Sequence, residues 1–315
     1  MEFKYRKYLT WIGYFITILC FSWFVIKIVT TSFDFKHFFY HNIPYLLFSL
    51  GLYSTSIFIL SIAWHVLLRA IGNLYPKFTT SCLIIFITQI GKYLPGNIGQ
   101  HFGRVFLAKR YSIEVSTSVF TLLLETFWVV STGGTIALIA ILSTGNSILE
   151  NNSYTPSSSF LTLLIGIMLL TPFIGHRLFD RLAICWSGRK GIQFEIAQMP
   201  SIKTIFIVVL LYGFIFILLG LVLKIIASSI FDNPDGGFLL LTGIFAVAWI
   251  AGFITPGSPA GLGVREIVLV AALTPIYSNE TAVGITTALR VTTVLGDIIV
   301  FFLGLVLARV QKKEK

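Results

Sequence analysis

Stretches of about 20 predominantly apolar residues, long enough to cross a bilayer as α-helix, recur from one end of this chain to the other. The first lies in MEFKYRKYLTWIGYFITILCFSWFVIKIVTTSF, after a basic start. It is longer than the apolar core of a signal peptide, and no small-residue cleavage site follows it, so it reads as a transmembrane helix that stays. Of the 315 residues, 56% are hydrophobic and only 11% are charged. A water-soluble domain cannot hide that much apolar surface, and the fold class is therefore an all-α polytopic membrane protein. The longest polar interruption, residues 175–202, is too short to fold as a catalytic domain of its own. Residues 1–315 are expected to form a single integral membrane domain.

Spanning helices are predicted at about 9–31, 43–71, 116–142, 158–175, 203–229 and 283–308. Two further regions, about 78–110 and 238–282, each consist of apolar halves split by a Pro/Gly-rich centre. Basic residues then set the topology. Lys4, Arg6 and Lys7 put the N-terminus inside, as do Arg69 and Lys77, and Lys109 and Arg110, for their turns. Arg177, Arg181, Arg189, Lys190 and Lys203 crowd the 175–203 loop, and Lys312, Lys313 and Lys315 end the chain. Loops 143–157, 231–237 and 276–282 hold no Lys or Arg and read as external. The expected location is thus the cell membrane, multi-pass, with both termini cytoplasmic. The net charge of +10 is explained by this bias and by the cytoplasmic lipid surface, without any nucleic acid.

The same parity makes region 78–110 enter and leave on the inside, and region 238–282 on the outside. Each is either two full spans or a re-entrant hairpin, and halves of roughly 12–18 residues favour hairpins. The expected architecture is then about six full spans plus two re-entrant hairpins. Its halves, about 43–142 and 203–308, form an inverted repeat, and broken segments at matching places of such halves point to a transporter's substrate site.

The first broken segment, GKYLPGNIGQHFGR, places Lys92, Pro95, Gly96, Asn97, Gly99, Gln100, His101 and Arg104 between apolar runs. The second, FITPGSPAGLGVREIVLV, contains Pro256, Gly257, Pro259, Gly261, Gly263, Arg265 and Glu266. A helix is expected to begin near Leu262, with Arg265 and Glu266 in its first turn and free N–H groups pointing into the protein. A charge at the bilayer centre costs roughly 2.5–3.5 kcal/mol on insertion scales. Lys92, Arg104, Glu125, Arg265, Glu266, Arg290 and Asp297 all sit in or beside apolar stretches. Arg290 and Asp297, seven apart, share one helix face. Glu125 is expected to compensate Lys92 or Arg104, and Asp297 to compensate Arg265 or Arg290. Structural ion pairs holding two hairpins are the alternative to a substrate site. Helix N-termini with Arg and Lys nearby form an anion site suited to phosphate.

Other polar residues carry less. Trp64, Trp128 and Trp249 read as interface anchors or packing, and Lys27 and Lys224 as snorkelling near helix ends. Cys20, Cys82 and Cys185 are scattered and read as packing residues. His37 and His41 form an i, i+4 pair in the loop DFKHFFYHN without a third ligand nearby, and no metal or cofactor is expected. No Walker loop or nucleophile elbow occurs.

KYLPGNIGQHFGR and ITPGSPAGLGVREIVLV, with Glu125 and Arg290 downstream, resemble the flippase-like transmembrane region of lysylphosphatidylglycerol synthases and their standalone relatives. Ser258-Pro259-Ala260 departs from that family's tighter glycine pattern, while the Gly261 to Glu266 core matches it. The resemblance implies movement of lipid across the bilayer. With the chain ending at ARVQKKEK, it also implies a standalone member without the aminoacyl transferase domain.

The expected function is a lipid translocase or lipid-binding protein for a phosphate-bearing lipid or glycolipid in cell-envelope biogenesis, not an enzyme. The site comprises Lys92, Pro95, Gly96, Asn97, Gln100, Arg104 and Glu125 from the first half. The second half adds Pro256, Gly257, Gly261, Gly263, Arg265, Glu266, Arg290 and Asp297. A homo-oligomer or envelope-biosynthesis partners stay open. The alternatives are a polytopic glycosyltransferase using a lipid-phosphate sugar donor, for which the first external loop offers only Asp34, and a scaffold of an envelope complex.

Overall fold

A computed structural model describes residues 2–72, 76–94, 99–148, 164, 166, 167, 200–230, 237–255 and 257–313. Their regular elements are helices: α1 (Glu2–Thr30), α2 (Phe35–His41), α3 (Ile43–Ile71), α4 (Phe78–Thr88) and α5 (Gly99–Arg110). Then follow α6 (Val115–Ile148), α7 (Ile202–Ser228), α8 (Phe238–Ile254), α9 (Val264–Leu273) and α10 (Asn279–Lys313). Short 3-10 turns at Gln89–Tyr93 and Pro259–Gly261 follow α4 and precede α9. The span expected at 158–175 and the basic loop after it lie largely outside the described residues.

Helices α3, α6, α7 and α10 are each long and apolar enough to cross a membrane, and the end of α1 together with α2 passes the same test as a pair bent by 85°. The chain is an all-α polytopic membrane protein. The expected loop DFKHFFYHN is largely the helix α2, because the Asp34 side chain accepts the His37 N–H at 2.9 Å and caps it. Helix α7 shows what packs the bundle. Val208, Tyr212, Phe216, Leu219 and Leu223 form its buried stripe, while Phe206, Leu210, Phe214 and Ile217 are exposed to what would be lipid. Small residues let backbones approach: Gly220 of α7 lies against Thr242 of α8, and Gly243 of α8 against Ala140 of α6. Trp64 and Trp128 are fully buried packing residues rather than interface anchors.

The two broken regions are helical hairpins. Gly103 of α5 lies beside Thr88 of α4, and Gly91 beside Gly99 and Gln100, so α5 doubles back along α4. Their 11 and 12 residues rise about 16 and 18 Å, against a hydrocarbon core of about 30 Å. In the second, a Cβ on Gly252 of α8 would stand 3.0 Å from Gly261 Cα, and α9 returns for only 10 residues, about 15 Å. Its other arm, α8, has 17 residues and rises about 25 Å, so α4, α5 and α9 are well short of a full span and α8 nearly reaches one.

Helix α10 ties the hairpins to opposite ends. Gln311 Nε2 near its C-terminus donates to Thr79 Oγ1 at 3.0 Å, where α4 begins. Further up, Gly304 packs on Phe86 and Ile87 of α4. At the other end of the helix Gly284 packs on Phe33, between α1 and α2. The two hairpin tips meet α10 between these ends.

Candidate functional site

Arg290 and Asp297 lie on one face of α10, about 10.5 Å apart along its axis. That offset assigns one to each hairpin. Asp297, with no solvent exposure, receives the tip of the first hairpin. Lys92 Nζ stands 2.7 Å from Oδ2 and 2.9 Å from Oδ1, and Tyr93 OH donates to Oδ2 at 2.5 Å. Tyr53 OH of α3 donates to Oδ1 at 2.8 Å and accepts from Lys92 Nζ at 3.0 Å, while Gln89 Nε2 approaches Oδ1 at 3.4 Å. The expectation that Asp297 compensates Arg265 or Arg290 is thereby corrected: its partner is Lys92. Sharing a helix face does not bring two residues together when their depths differ by two turns.

The second tip has four positions of positive φ interrupted by ordinary backbone, +84° at Gly257, +52° at Ala260, +72° at Gly261 and +83° at Gly263. A Cβ on Gly261 would crowd the Gly252 backbone at 3.1 Å, and one on Gly263 would run into Cys20 and the Phe21 backbone of α1. Helix α9 starts at Val264, two residues beyond the expected point. Glu266, buried, curls back so that its Oε2 accepts the Gly263 N–H at 2.6 Å. Its Oε1 lies 3.4 Å from Arg290 Nη1, which also donates to Ala260 O at 3.4 Å. The expectation of free N–H groups at this helix start needs amending, since a carboxylate already occupies one of them.

Arg265 follows a different course. As the neighbour of Glu266 it lies about 100° round the helix and points elsewhere. Among the described residues no hydrogen bond or ion pair reaches its guanidinium, and its Nε is buried without a partner. The third charged pair joins α5 to α6: Arg104 Nη1 meets Glu125 Oε1 at 2.6 Å, which settles the expected choice between Lys92 and Arg104. Arg104 Nε and Glu125 Oε2 are left without partners.

These groups surround one cavity of about 150 Å³, enclosed by α3, α6, α7 and both hairpins. Lys92, Gln100, Arg104, Glu125, Gly261 and Arg265 line it, together with His101 and Ala260. Asp297, Glu266 and Arg290 stand behind the lining, each holding a tip residue, while Gly257 and Gly263 shape the second turn. Pro95, Gly96, Asn97 and Pro256 lie outside the described residues. One wall is aromatic: Trp249 and Phe253 stack at 5.1 Å, and His101 meets Phe253 edge-on at 6.4 Å, so the two hairpins touch there.

Sequence reasoning missed Tyr53, Gln89, Tyr93 and Tyr212. Tyrosines in apolar helices normally mark the membrane interface, so nothing in their spacing sets these apart. Gln89 carried a signal, as an uncharged polar residue ending an apolar run next to Lys92.

The cavity thus presents one guanidinium, that of Arg265, which no carboxylate among the described residues pairs. No curated protein matches the chain. The family described as the lysylphosphatidylglycerol synthase TM region matches residues 10–301, which include both hairpins and every charged residue of the cavity, and the chain belongs to that family.

Proposed function

We propose that the protein binds a lipid with a phosphate-bearing headgroup and carries that headgroup across the cell membrane through the cavity, while the acyl chains stay in the bilayer. The observation that carries this reading is the Arg265 guanidinium, unpaired and lining a cavity between two opposed hairpin tips. An uncompensated charge at membrane depth costs several kcal/mol, and a phosphate offers it bidentate hydrogen bonds as well as charge. Irregular backbone at this depth is tolerated where it lines such a cavity.

The element order α3, hairpin, α6 and then α7, hairpin, α10 supports halves of about 43–142 and 203–308 related as an inverted repeat, in one domain. Rocking one half against the other would open the cavity to each leaflet in turn. In this reading the termini are cytoplasmic and the activity is transport rather than group transfer. Asp34, the acid a glycosyltransferase would need in the first external loop, is engaged in capping α2.

The test is leaflet exchange in proteoliposomes with fluorescent phosphatidylglycerol, phosphatidylcholine and polyprenyl phosphate, for the native protein and Arg265→Ala. Exchange of a phosphate lipid that Arg265→Ala abolishes is the expected result. Equal exchange in the folded variant, or none in the native protein, overturns the proposal.

A further inference from the structure

We infer that a second site, apart from the central cavity, lies at the outer end of the seam between the two halves: a groove in which Lys224, Tyr45 and Ser228 hold the headgroup of one anionic phospholipid while α7 seats its acyl chain. The inference takes only the orientation of the chain from the reading above.

The groove, of about 430 Å³, is lined by Tyr45 of α3, by Leu221, Lys224, Ile225 and Ser228 of α7, and by Phe238 of α8. None of these residues lines the central cavity. Helix α3 comes from the first half of the sequence and α8 from the second, and α7 packs along both. Its level follows from the helix ends. Tyr45 lies in the first turn of α3, Ser228 closes α7 and Phe238 opens α8. That is the end of the bundle away from the contact between Gln311 and Thr79. With the termini cytoplasmic, it stands in the outer leaflet. The lining is ordered by depth. Residues 221, 224, 225 and 228 recur at helical spacing and share one face of α7. Ser228 is at the rim, Lys224 about 6 Å below it and Leu221 about 10 Å below. Polar groups therefore stand above hydrocarbon, the order of a phospholipid in its leaflet.

Charge selects the occupant. Lys224 Nζ stands 5.9 Å from the centroid of the Phe238 ring, and among the described residues no carboxylate pairs it. A lysine one turn below a helix end reaches up to water or to a phosphate. Reaching water needs only an exposed helix face, whereas this ammonium stands in a groove walled by three helices. The Tyr45 and Ser228 hydroxyls beside it are further donors. Such a groove suits a ligand charged at one end and apolar at the other. Free phosphate gains nothing from the floor of Leu221 and Ile225. A zwitterionic lipid brings a cation of its own towards the ammonium. An anionic phospholipid fills the floor and leaves its whole charge to Lys224. Bound there, it joins α3, α7 and α8 across the seam and stabilises the folded chain.

The test is native mass spectrometry of the purified full chain, titrated with dioleoyl phosphatidylglycerol and dioleoyl phosphatidylcholine in an Arg265→Ala background that silences the central cavity. Phosphatidylglycerol should bind about 5-fold more tightly than phosphatidylcholine, the worth of one lysine at an anionic headgroup. Lys224→Met, which keeps an unbranched apolar side chain facing lipid, should abolish that preference, and Lys224→Arg should restore it. Phosphatidylglycerol carrying a diazirine on its acyl chain should label the α7 peptide that holds Leu221 and Ile225. Excess phosphatidylglycerol, and not phosphatidylcholine, should suppress the labelling. An unchanged preference in Lys224→Met, or labelling confined to other helices, overturns the site. Lipid binding that Arg265→Ala removes entirely would refute the groove and leave the central cavity standing. Binding that survives Arg265→Ala and weakens with Lys224→Met supports the groove whatever becomes of the transport reading.

Discussion

Replacing Asp297 by Asn tests whether the first hairpin is held by charge or by packing. The carboxylate is fully buried and is the shared acceptor of Lys92, Tyr53, Tyr93 and Gln89. In Asp297→Asn one oxygen remains, but an NH2 replaces the oxygen that receives Lys92 at 2.7 Å and Tyr93 at 2.5 Å. Tyr93 can turn its hydroxyl to accept from the new amide, whereas Lys92 cannot accept. The lysine is left buried with only Tyr53 OH and one amide oxygen, and breaking a buried pair in this way costs about 3–5 kcal/mol. Lys92→Met leaves a fully buried carboxylate with Tyr53, Tyr93 and Gln89 as donors but no cation, and should also cost about 3–5 kcal/mol. The double variant removes both charges and should fall short of the sum of the single losses by about 2 kcal/mol or more. Equilibrium unfolding in mixed micelles with increasing SDS measures all three. Additivity within about 0.5 kcal/mol would show that Lys92 and Asp297 are not energetically coupled, and the account of the hairpin tip would fail.

Gly263→Ala should destabilise by at least about 1–2 kcal/mol from its positive φ alone, and by more because the new Cβ would lie 2.5 Å from the Phe21 amide nitrogen. Gly237→Ala, with open space around it, is the neutral control, and equal unfolding midpoints for the two would refute the close approach of α1 to the second hairpin. His101→Cys with Phe253→Cys, in a background lacking Cys20, Cys82 and Cys185, should cross-link with a short bismaleimide and slow lipid exchange, because these rings join the two hairpins. Absence of the cross-linked peptide by mass spectrometry would mean that the tips do not meet. Thr79→Cys and Gln311→Cys should react with an impermeant maleimide from the same, cytoplasmic side of sealed vesicles, and Ser278→Cys from the other. Labelling of Thr79→Cys and Gln311→Cys from opposite sides would refute the contact between the start of α4 and the end of α10.

Much of the fold was legible because membrane insertion is governed by quantities that sequence displays directly. The helices expected at 43–71, 116–142, 203–229 and 283–308 appear as α3, α6, α7 and α10 with small shifts at their ends. The hairpins were legible from Pro and Gly at their centres, since those residues interrupt a helix wherever it is packed. The buried face of each helix was not legible. Lipid tails are as apolar as a protein core, so the exposed Phe214 and the buried Phe216 of α7 look alike in sequence. Glu266 lies three residues after Gly263, a capping spacing open to view, yet whether it capped or faced the cavity depended on the backbone of the turn.

The membrane class, the main spans, the two breaks and the set of charges among apolar runs can all be read along the chain. Each follows from local composition and from the cost of moving a group out of water. Which charge meets which depends on how the helices pack. Asp297 found Lys92 across 205 positions of chain, Arg104 found Glu125, and Arg265 was left over to face the cavity. The physical reason is geometric. An ion pair forms only where two side chains reach the same depth on touching faces, and that depth is set by how far each hairpin enters before it turns.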